Sequence, residues 1–583
     1  MQPASSSGGG GGGSSALKKW GPLAAIIVVV AVVIGVIASG GGGDDESSDT
    51  TAPAETTTAP TDATDAPDGT DGGATWTYPL SYSQAEELGV AGDIDWGERC
   101  DTSVGLIAVI DYFAPECMAP FTGDNGGATF QGVTADEITI VHYMGPDGDP
   151  IINYITDAIA VDDTNAQEKE VVADFVRYFE TYYEFYGRKI NLVTYESTGL
   201  ANDVVTARAD AQRIAEEFKP FAVIGGPALT NAFGDELAAR EILCISCGTG
   251  SPEWYAERDP YVWGIDGSAE QKQVHVVEFI GKQLAGKPAI HAGEEFQNTE
   301  RKFGLVYTES SAESKVLADL MVERLTEVGA APAEVIPYAL DPGTIQQTAS
   351  QLIAKLKASG VTSVILTTDP VGPRDFTREA TAQEYFPEWI VGAATLVDTT
   401  AFGRSYDQQQ WANAFGVTSL AVRVNPEISG YYALYKWFTG KEPAADESIG
   451  VYMPPFGLLM AALQSAGPNL THESLAAAIR SFETVQAVSQ PWLTWGDHGI
   501  WDQPDYAGID DATLFWWDAE ATGPDENRNE GTGMIFYVDG GKRYLPGEWP
   551  SDETLFQPDG AVAVYDFAPA GEEPRDFPSP AGG

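Results

Sequence analysis

The apolar positions of this chain fall into two successive series that alternate between strand-like and helix-like spacing. Glu137 to Tyr143 (EITIVHY) is a mostly apolar stretch of strand length and predicts a buried strand. From about 165 to 187, Val172, Phe175, Phe179 and Tyr182 recur at helical spacing, which predicts a long helix with one apolar face. Lys189 to Tyr195 reads as the next strand, Ala201 to Phe218 as the next helix, and Phe221 to Ile224 as a strand running into Gly225, Gly226 and Pro227. A helix over 231–240 and a strand over 242–245 close the first series. Near residue 265 the pattern restarts, with strands at Phe303 to Tyr307, Val335 to Tyr338, Ser363 to Thr367 and Glu388 to Val391, and helices between them, as at 345–358. Two series of strand–helix units imply an α/β protein of two lobes, each a parallel sheet flanked by helices. In such sheets small molecules bind beyond the C-terminal strand ends.

The flanks of this pattern differ from it. Lys18 and Lys19 precede Leu23 to Ala38, sixteen residues without a polar side chain, a run of roughly 24 Å if helical. It is either a cleaved signal or one retained transmembrane helix, with the two lysines on the cytoplasmic side. The reading along the chain is a flexible Gly/Ser-rich tail at 1–19, the anchor or signal at 20–40, and an acidic Thr/Pro linker at 41–75 too poor in apolar residues to fold. A disulfide-containing pre-domain follows at 76–126, then lobe 1 at 127–264, lobe 2 at 265–395 and a return to lobe 1 at 396–485. An aromatic-rich extension packed on the lobes spans 486–557, and a partly disordered tail spans 558–583. The folded part is expected outside the cell membrane, held to it as a single-pass protein through the N-terminal helix.

Composition sharpens this picture. Acidic residues outnumber basic ones, 86 to 32, for a net charge of −54, so nucleic acid is not an expected partner. The four cysteines suit an exported chain. Cys100 and Cys117 close a short loop and read as one disulfide; Cys244 and Cys247 read as a second, with redox chemistry or a metal as alternatives for that pair. No phosphate loop, zinc-protease helix or nucleophile elbow occurs, and the five histidines are scattered. The expectation is a protein that is not an enzyme and that carries no cofactor or metal. The candidate chemistry lies instead at strand ends rich in glycine and hydroxyls: Thr230 after one strand, and Ser246, Gly248, Thr249, Gly250 and Ser251 after the next. Tyr307 and Thr308 stand in the second lobe, with Asp369 beyond its third strand. Glycine admits a ligand to the backbone and hydroxyls hydrogen-bond it, while Asp369 or Glu309 offers a carboxylate to an ammonium. The alternative is that Thr230, Ser251 and Asp369 simply cap the helices that follow them.

These strand ends carry a resemblance. Tyr143-Met144-Gly145-Pro146, Gly187-Arg188-Lys189-Ile190, Phe218 to Gly225, Ile245 to Pro252 and Val262 to Gln271 together resemble, in order and spacing, the type 1 periplasmic-binding fold, specifically leucine/isoleucine/valine-binding receptors of ABC importers. The resemblance runs over about 130–485. It implies two lobes that close on a small polar solute (an amino acid, amide, peptide or carboxylate) and a membrane permease as partner. It places ligand positions near Thr230, Gly248, Gly250, Ala312 and Ala394. The two alanines stand where the family has a tyrosine and an acid, with Tyr307, Thr308 and Asp369 as substitutes by position. The rival implication is a membrane-anchored sensor or adhesion module of the same fold without transport.

Overall fold

The computed structural model describes residues 68–582, apart from 72–73, 310–311, 393, 395, 483 and 485. The expected tail at 1–19, the transmembrane segment at 20–40 and most of the linker at 41–75 lie outside the described residues.

Lobe 1 is built on a five-stranded, wholly parallel sheet. Its strands are β1 (Glu137–Met144), β2 (Lys189–Glu196), β3 (Ala222–Ile224), β4 (Leu243–Ile245) and β5 (Val262–Trp263), in the order β2-β1-β3-β4-β5. Both faces of the sheet are buried, which is why its short strands read as continuous apolar runs. One face packs on Val172, Phe175 and Phe179 of the helix Asn165–Tyr182 and on the helices Gly430–Thr439, Ile449–Ala466 and His472–Arg480. The other face packs on Val204–Glu217 and Ala232–Ala238. The first helix stops earlier than its periodicity predicts. Tyr183 is extended, and Tyr186 and Gly187 then take positive φ, 56° and 81°, turning the chain into β2.

Lobe 2 has eight strands: β6 (Phe303–Thr308), β7 (Glu334–Tyr338), β8 (Ser363–Thr367), β9 (Glu388–Val391), β10 (Ala414–Thr418), β13 (Ala512–Pro524), β14 (Glu530–Tyr537) and β15 (Arg543–Tyr544), in the order β7-β6-β8-β9-β10-β13-β14, with β15 beside β13. The interposed hairpin β11 (Leu493–Gly496) and β12 (Asp505–Ile509) belongs beside lobe 1. There the Trp495 indole donates to Gly264 O at 2.8 Å and Gly264 N donates to Tyr506 O at 2.8 Å.

Three expectations are corrected here. The sheet of lobe 2 is parallel only through β10; β13, β14 and β15 join it antiparallel. The chain does not return to lobe 1 at 396, because β10 pairs with β9 inside lobe 2, and the return begins with the helix Gly430–Thr439. The aromatic-rich stretch is only in part an extension packed on the lobes: its β11–β12 hairpin lies beside lobe 1, whereas β13, β14 and β15 are part of the lobe 2 sheet. Leu514 and Trp516 enter one core and Phe515 and Trp517 the other, the period-two alternation of a strand buried on both faces. The chain thus crosses between the sheets near 264–269, 425–430 and 509–512.

The pre-domain gathers Trp76, Tyr78, Leu80 and Trp96 around Tyr186 of lobe 1. It carries the Cys100–Cys117 disulfide (Cα–Cα 5.7 Å), and Arg99 pairs with Glu184 at 2.7 Å. Much of the tail expected to be partly disordered is held. Val562 pairs with Tyr537 and Tyr565 with Val424 in lobe 2. Val488 N in lobe 1 donates to Glu572 at 2.7 Å, and the Trp437 indole donates to Phe577 O at 2.8 Å.

Candidate functional site

The C-terminal strand ends of the two sheets face each other, and the structure puts the sequence-predicted residues on both rims. On lobe 1, Ser246 follows β4 with φ 59°, a left-handed bend bracketed by Cys244 and Cys247, which are paired at a Cα–Cα distance of 5.9 Å. Its hydroxyl is buried and has no hydrogen-bond partner among the described residues. The following loop is pinned by Asn231, whose amide donates to Thr249 O at 2.7 Å and accepts from Thr249 N at 3.0 Å. The glycines answer to protein neighbours: a Cβ on Gly250 would stand 2.6 Å from the Trp254 ring, and one on Gly248 2.9 Å from Asn231 Oδ1. Ser251 Oγ accepts from Trp254 N at 3.1 Å and Thr230 Oγ1 from Ala232 N at 3.2 Å, so both hydroxyls cap the turns that follow them.

On lobe 2, Thr308 and Asp369 are drawn into a buried knot. Val371 N and Gly372 N each donate to Asp369 Oδ1 at 2.8 Å, and the Tyr338 hydroxyl donates to Oδ2. Thr308 Oγ1 accepts from Asp369 N at 2.9 Å and lies 2.9 Å from the Tyr338 hydroxyl. Asp369 is 1 % exposed, and burial raises its carboxyl above the usual range despite these donors. The knot ties the ends of β6, β7 and β8 together, and Asp369 holds the backbone turn that leads into the helix Gly372–Ala382, whose N-cap position falls at Val371. Tyr307 is buried, its hydroxyl 3.5 Å from Glu309.

Apart from Ser251, the residues that make the contacts across the gap were not singled out by the sequence. Ser251 N of lobe 1 donates to Glu313 Oε1 of lobe 2 at 3.3 Å. Arg374 of lobe 2 donates to the Tyr154 hydroxyl of lobe 1 at 2.5 Å and lies over its ring at 5.3 Å. Ile155, Ala201 and Leu229 of lobe 1 enter an apolar cluster of lobe 2 residues. The lobes therefore meet in a closed arrangement. Toward the hinge, Asp266, Lys272, His275, Ala394, Leu396, Asp398, Val417 and Ser419 line a cavity of about 30 Å³, room for one or two water molecules. Asp398 is 7 % exposed and accepts from Thr418 Oγ1 at 2.6 Å. Burial lifts it to about 6, against the lowering effect of Thr418 and Lys272. Lys272 pairs with Asp266. His275 is held in the packing, with Nε2 on Asp510 O at 3.0 Å and Nδ1 accepting from Trp549 Nε1 at 3.1 Å; burial pushes it down to about 4. Among the described residues no three His, Cys, Asp or Glu side chains gather to hold a metal.

Comparison with known proteins adds the following. A family model described as "Periplasmic binding protein" matches residues 158–510, more than half of the chain. A search of curated proteins returned no match. Among solved structures, a leucine-, isoleucine-, valine-, threonine- and alanine-binding protein from Brucella ovis in a closed conformation is 14% identical, covers 73% of this chain and 100% of its own, and has a TM-score of 0.49. A solute binding protein of an ABC transporter from Rhodopseudomonas palustris BisB5, in complex with 3,4-dihydroxybenzoic acid, is 13% identical, with 68% of this chain and 97% of its own covered and a TM-score of 0.45. An ABC transporter substrate-binding protein from Sphaerobacter thermophilus is 14% identical, with coverages of 71% and 100% and a TM-score of 0.47.

Proposed function

Because the chain belongs to the periplasmic binding protein family, a family of solute-binding proteins and not of enzymes, we propose that it is the extracytoplasmic receptor of an ABC-type importer. It captures a small polar solute of the amino acid, amide, peptide or carboxylate class between its lobes and presents it to a membrane permease. The single-pass anchor expected at 20–40 keeps the receptor at the cell membrane. The carrying observation is the pair of facing sheet rims joined by three chain crossings and touching through Glu313–Ser251 and Arg374–Tyr154. Contacts that exist only when the lobes meet are what a ligand needs in order to shift an open–closed equilibrium. The cavity toward the hinge is too small for such a solute, so loading requires the lobes to part.

The test is thermal melting of the full chain across amino acids, amides, small peptides and carboxylates. A solute at a hundred times its Kd raises stability by about 2.7 kcal/mol, a clear rise in Tm. If no small solute moves Tm while small-angle scattering shows intact lobes, the receptor reading is wrong.

A further inference from the structure

We infer that residues 150–160 form a clasp with which lobe 1 holds lobe 2 shut without help from a solute, so that the protein has to be opened before it can be loaded. The inference concerns the unliganded molecule and goes beyond the receptor reading.

The segment leaves lobe 1 at the C-terminal end of β1 and returns to it at the helix Asn165–Tyr182. Both ends of this excursion are fastened to lobe 1. At its start the buried Asp149 accepts from Ile151 N at 2.8 Å, Ile152 N at 3.2 Å and Ala201 N at 2.6 Å. At its close Asp163 accepts from Ser448 N at 2.7 Å, and Asp162 N donates to Glu447 at 2.9 Å. Asn165 closes the neck, its side chain donating to Gly145 O at 2.7 Å and its backbone to Asp147 at 2.9 Å. A loop whose ends are held together in this way is a compact unit of its own.

The middle of the loop lies on lobe 2. The helix Pro150–Thr156 and the turn Asp157–Ile159 carry Ile151, Ile152, Ile155 and Ile159, spaced to share one face. Ile155 is buried and the other three are half-buried in the apolar cluster of lobe 2, which Ala201 and Leu229 of lobe 1 also enter. Arg374 reaches the Tyr154 hydroxyl from the helix Gly372–Ala382. The turn Asp157–Ile159 packs on the helix Thr400–Gly403, whose first amides, Thr400 N and Ala401 N, donate to Glu526 at 2.8 and 2.6 Å. From the same turn between β13 and β14, Asn527 donates to Ile159 O at 3.1 Å. Beside it Arg528 crosses to lobe 1, where it donates to Asp446 O at 2.9 Å, pairs with the Asp446 carboxylate and lies over the Tyr432 ring at 5.2 Å.

Two physical points make this segment a clasp. A helix of 7 residues does not hold in water by itself, so Pro150–Thr156 depends on its seat. The isoleucine face is covered by lobe 2, and parting the lobes exposes it to water, which opposes opening. All of these contacts are made by protein with protein, and they lie beyond the C-terminal strand ends, where such sheets take up small molecules. Entry at that edge therefore requires the segment to leave lobe 2, and the fraction of molecules in which it has left scales the apparent affinity for any solute.

The experiment is small-angle scattering and hydrogen exchange on the full, unliganded chain. Two variants loosen the clasp from either side: residues 151–159 replaced by a Gly/Ser run of equal length, and Arg374→Ala combined with Asn527→Ala. The turn between β13 and β14 keeps its shape in the second, because Asp525 accepts from Asn527 N at 2.9 Å and Asn529 N at 2.8 Å. The wild type is expected to scatter as a closed molecule and both variants with a larger radius of gyration. In the paired variant the amides of 151–159 should exchange about tenfold faster. If the Gly/Ser chain does not fold, the paired variant, which leaves every residue of the segment in place, decides the question. Asp157→Ala, on the exposed side of the segment, should match the wild type. A wild type that already scatters with parted lobes, a radius of gyration unchanged in the paired variant, or the same increase in Asp157→Ala overturns the inference. The receptor reading would then still stand, since no solute enters the test.

Discussion

The two rims of the cleft are built from different materials. Lobe 1 meets the gap with backbone: a left-handed serine, two glycines seated on Asn231 and Trp254, and amides at the start of short helical turns. Lobe 2 meets it with side chains locked to one another, Asp369 at the centre of a knot of four hydrogen bonds and Tyr338 and Thr308 around it. A rim of pinned backbone holds its shape through many weak restraints, whereas a rim organised by one buried carboxylate depends on that carboxylate. Hydroxyl and acid residues at strand ends therefore do not have one meaning; some build the rim and some face the gap.

The largest expected difference comes from Asp369→Ala, which orphans two backbone amides and the Tyr338 hydroxyl in the interior. It should cost about 3–4 kcal/mol, read as a fall in the denaturant midpoint with an unchanged slope. Next in size is a pH effect at the third crossing. There Asp510 accepts from Thr494 at 2.8 Å and Trp501 at 2.7 Å. Burial, and after it the nearby Asp505 charge, push it up to about 8. A carboxyl raised in the fold contributes stability that is complete below its ordinary value near 3.8 and is lost as pH climbs through about 8. Between pH 5 and 9 the wild type should thus lose Tm relative to Asp510→Asn; parallel pH profiles of the two proteins would refute the shared-burial account.

On the backbone-built rim, Asn231→Ala should cost about 1–2 kcal/mol, roughly half of the Asp369 effect. A cost as large as that of Asp369→Ala would erase the contrast between the rims. Smallest is Arg374→Ala, which removes a half-exposed contact to Tyr154 worth under about 1 kcal/mol. It should leave Tm nearly unchanged while increasing the radius of gyration of the unliganded protein as the lobes part more often.

How far the sequence carried these conclusions depended on range. The strands of lobe 1 were legible because Phe221 to Ile224 and its neighbours are buried on both faces and bounded by glycine and proline. β10 (AFGVT) was missed, since its five residues resemble any short apolar loop until β9 pairs with them. The run Leu514-Phe515-Trp516-Trp517 has the composition of a buried strand, yet its place in the sheet of lobe 2 follows only from long-range pairing. At the site, the cap at Ser251 and the turns held by Thr230 and Asp369 were readable because such bonds are local. Glu313 and Asp398 carried no signal: an acid in the first turn of a helix or ahead of two threonines is ordinary, and its role is set by what the other lobe and the hinge place around it.

The C-terminal segment adds a mechanical bound. Tyr565 is zipped to Val424 in lobe 2, and Glu572 is fastened to Val488 and Ser489 in lobe 1. The chain between these anchors has a contour of roughly 23–25 Å when drawn straight. It is a leash outside the hinge, and it caps the gape of the lobes at that edge unless one of its fastenings lets go.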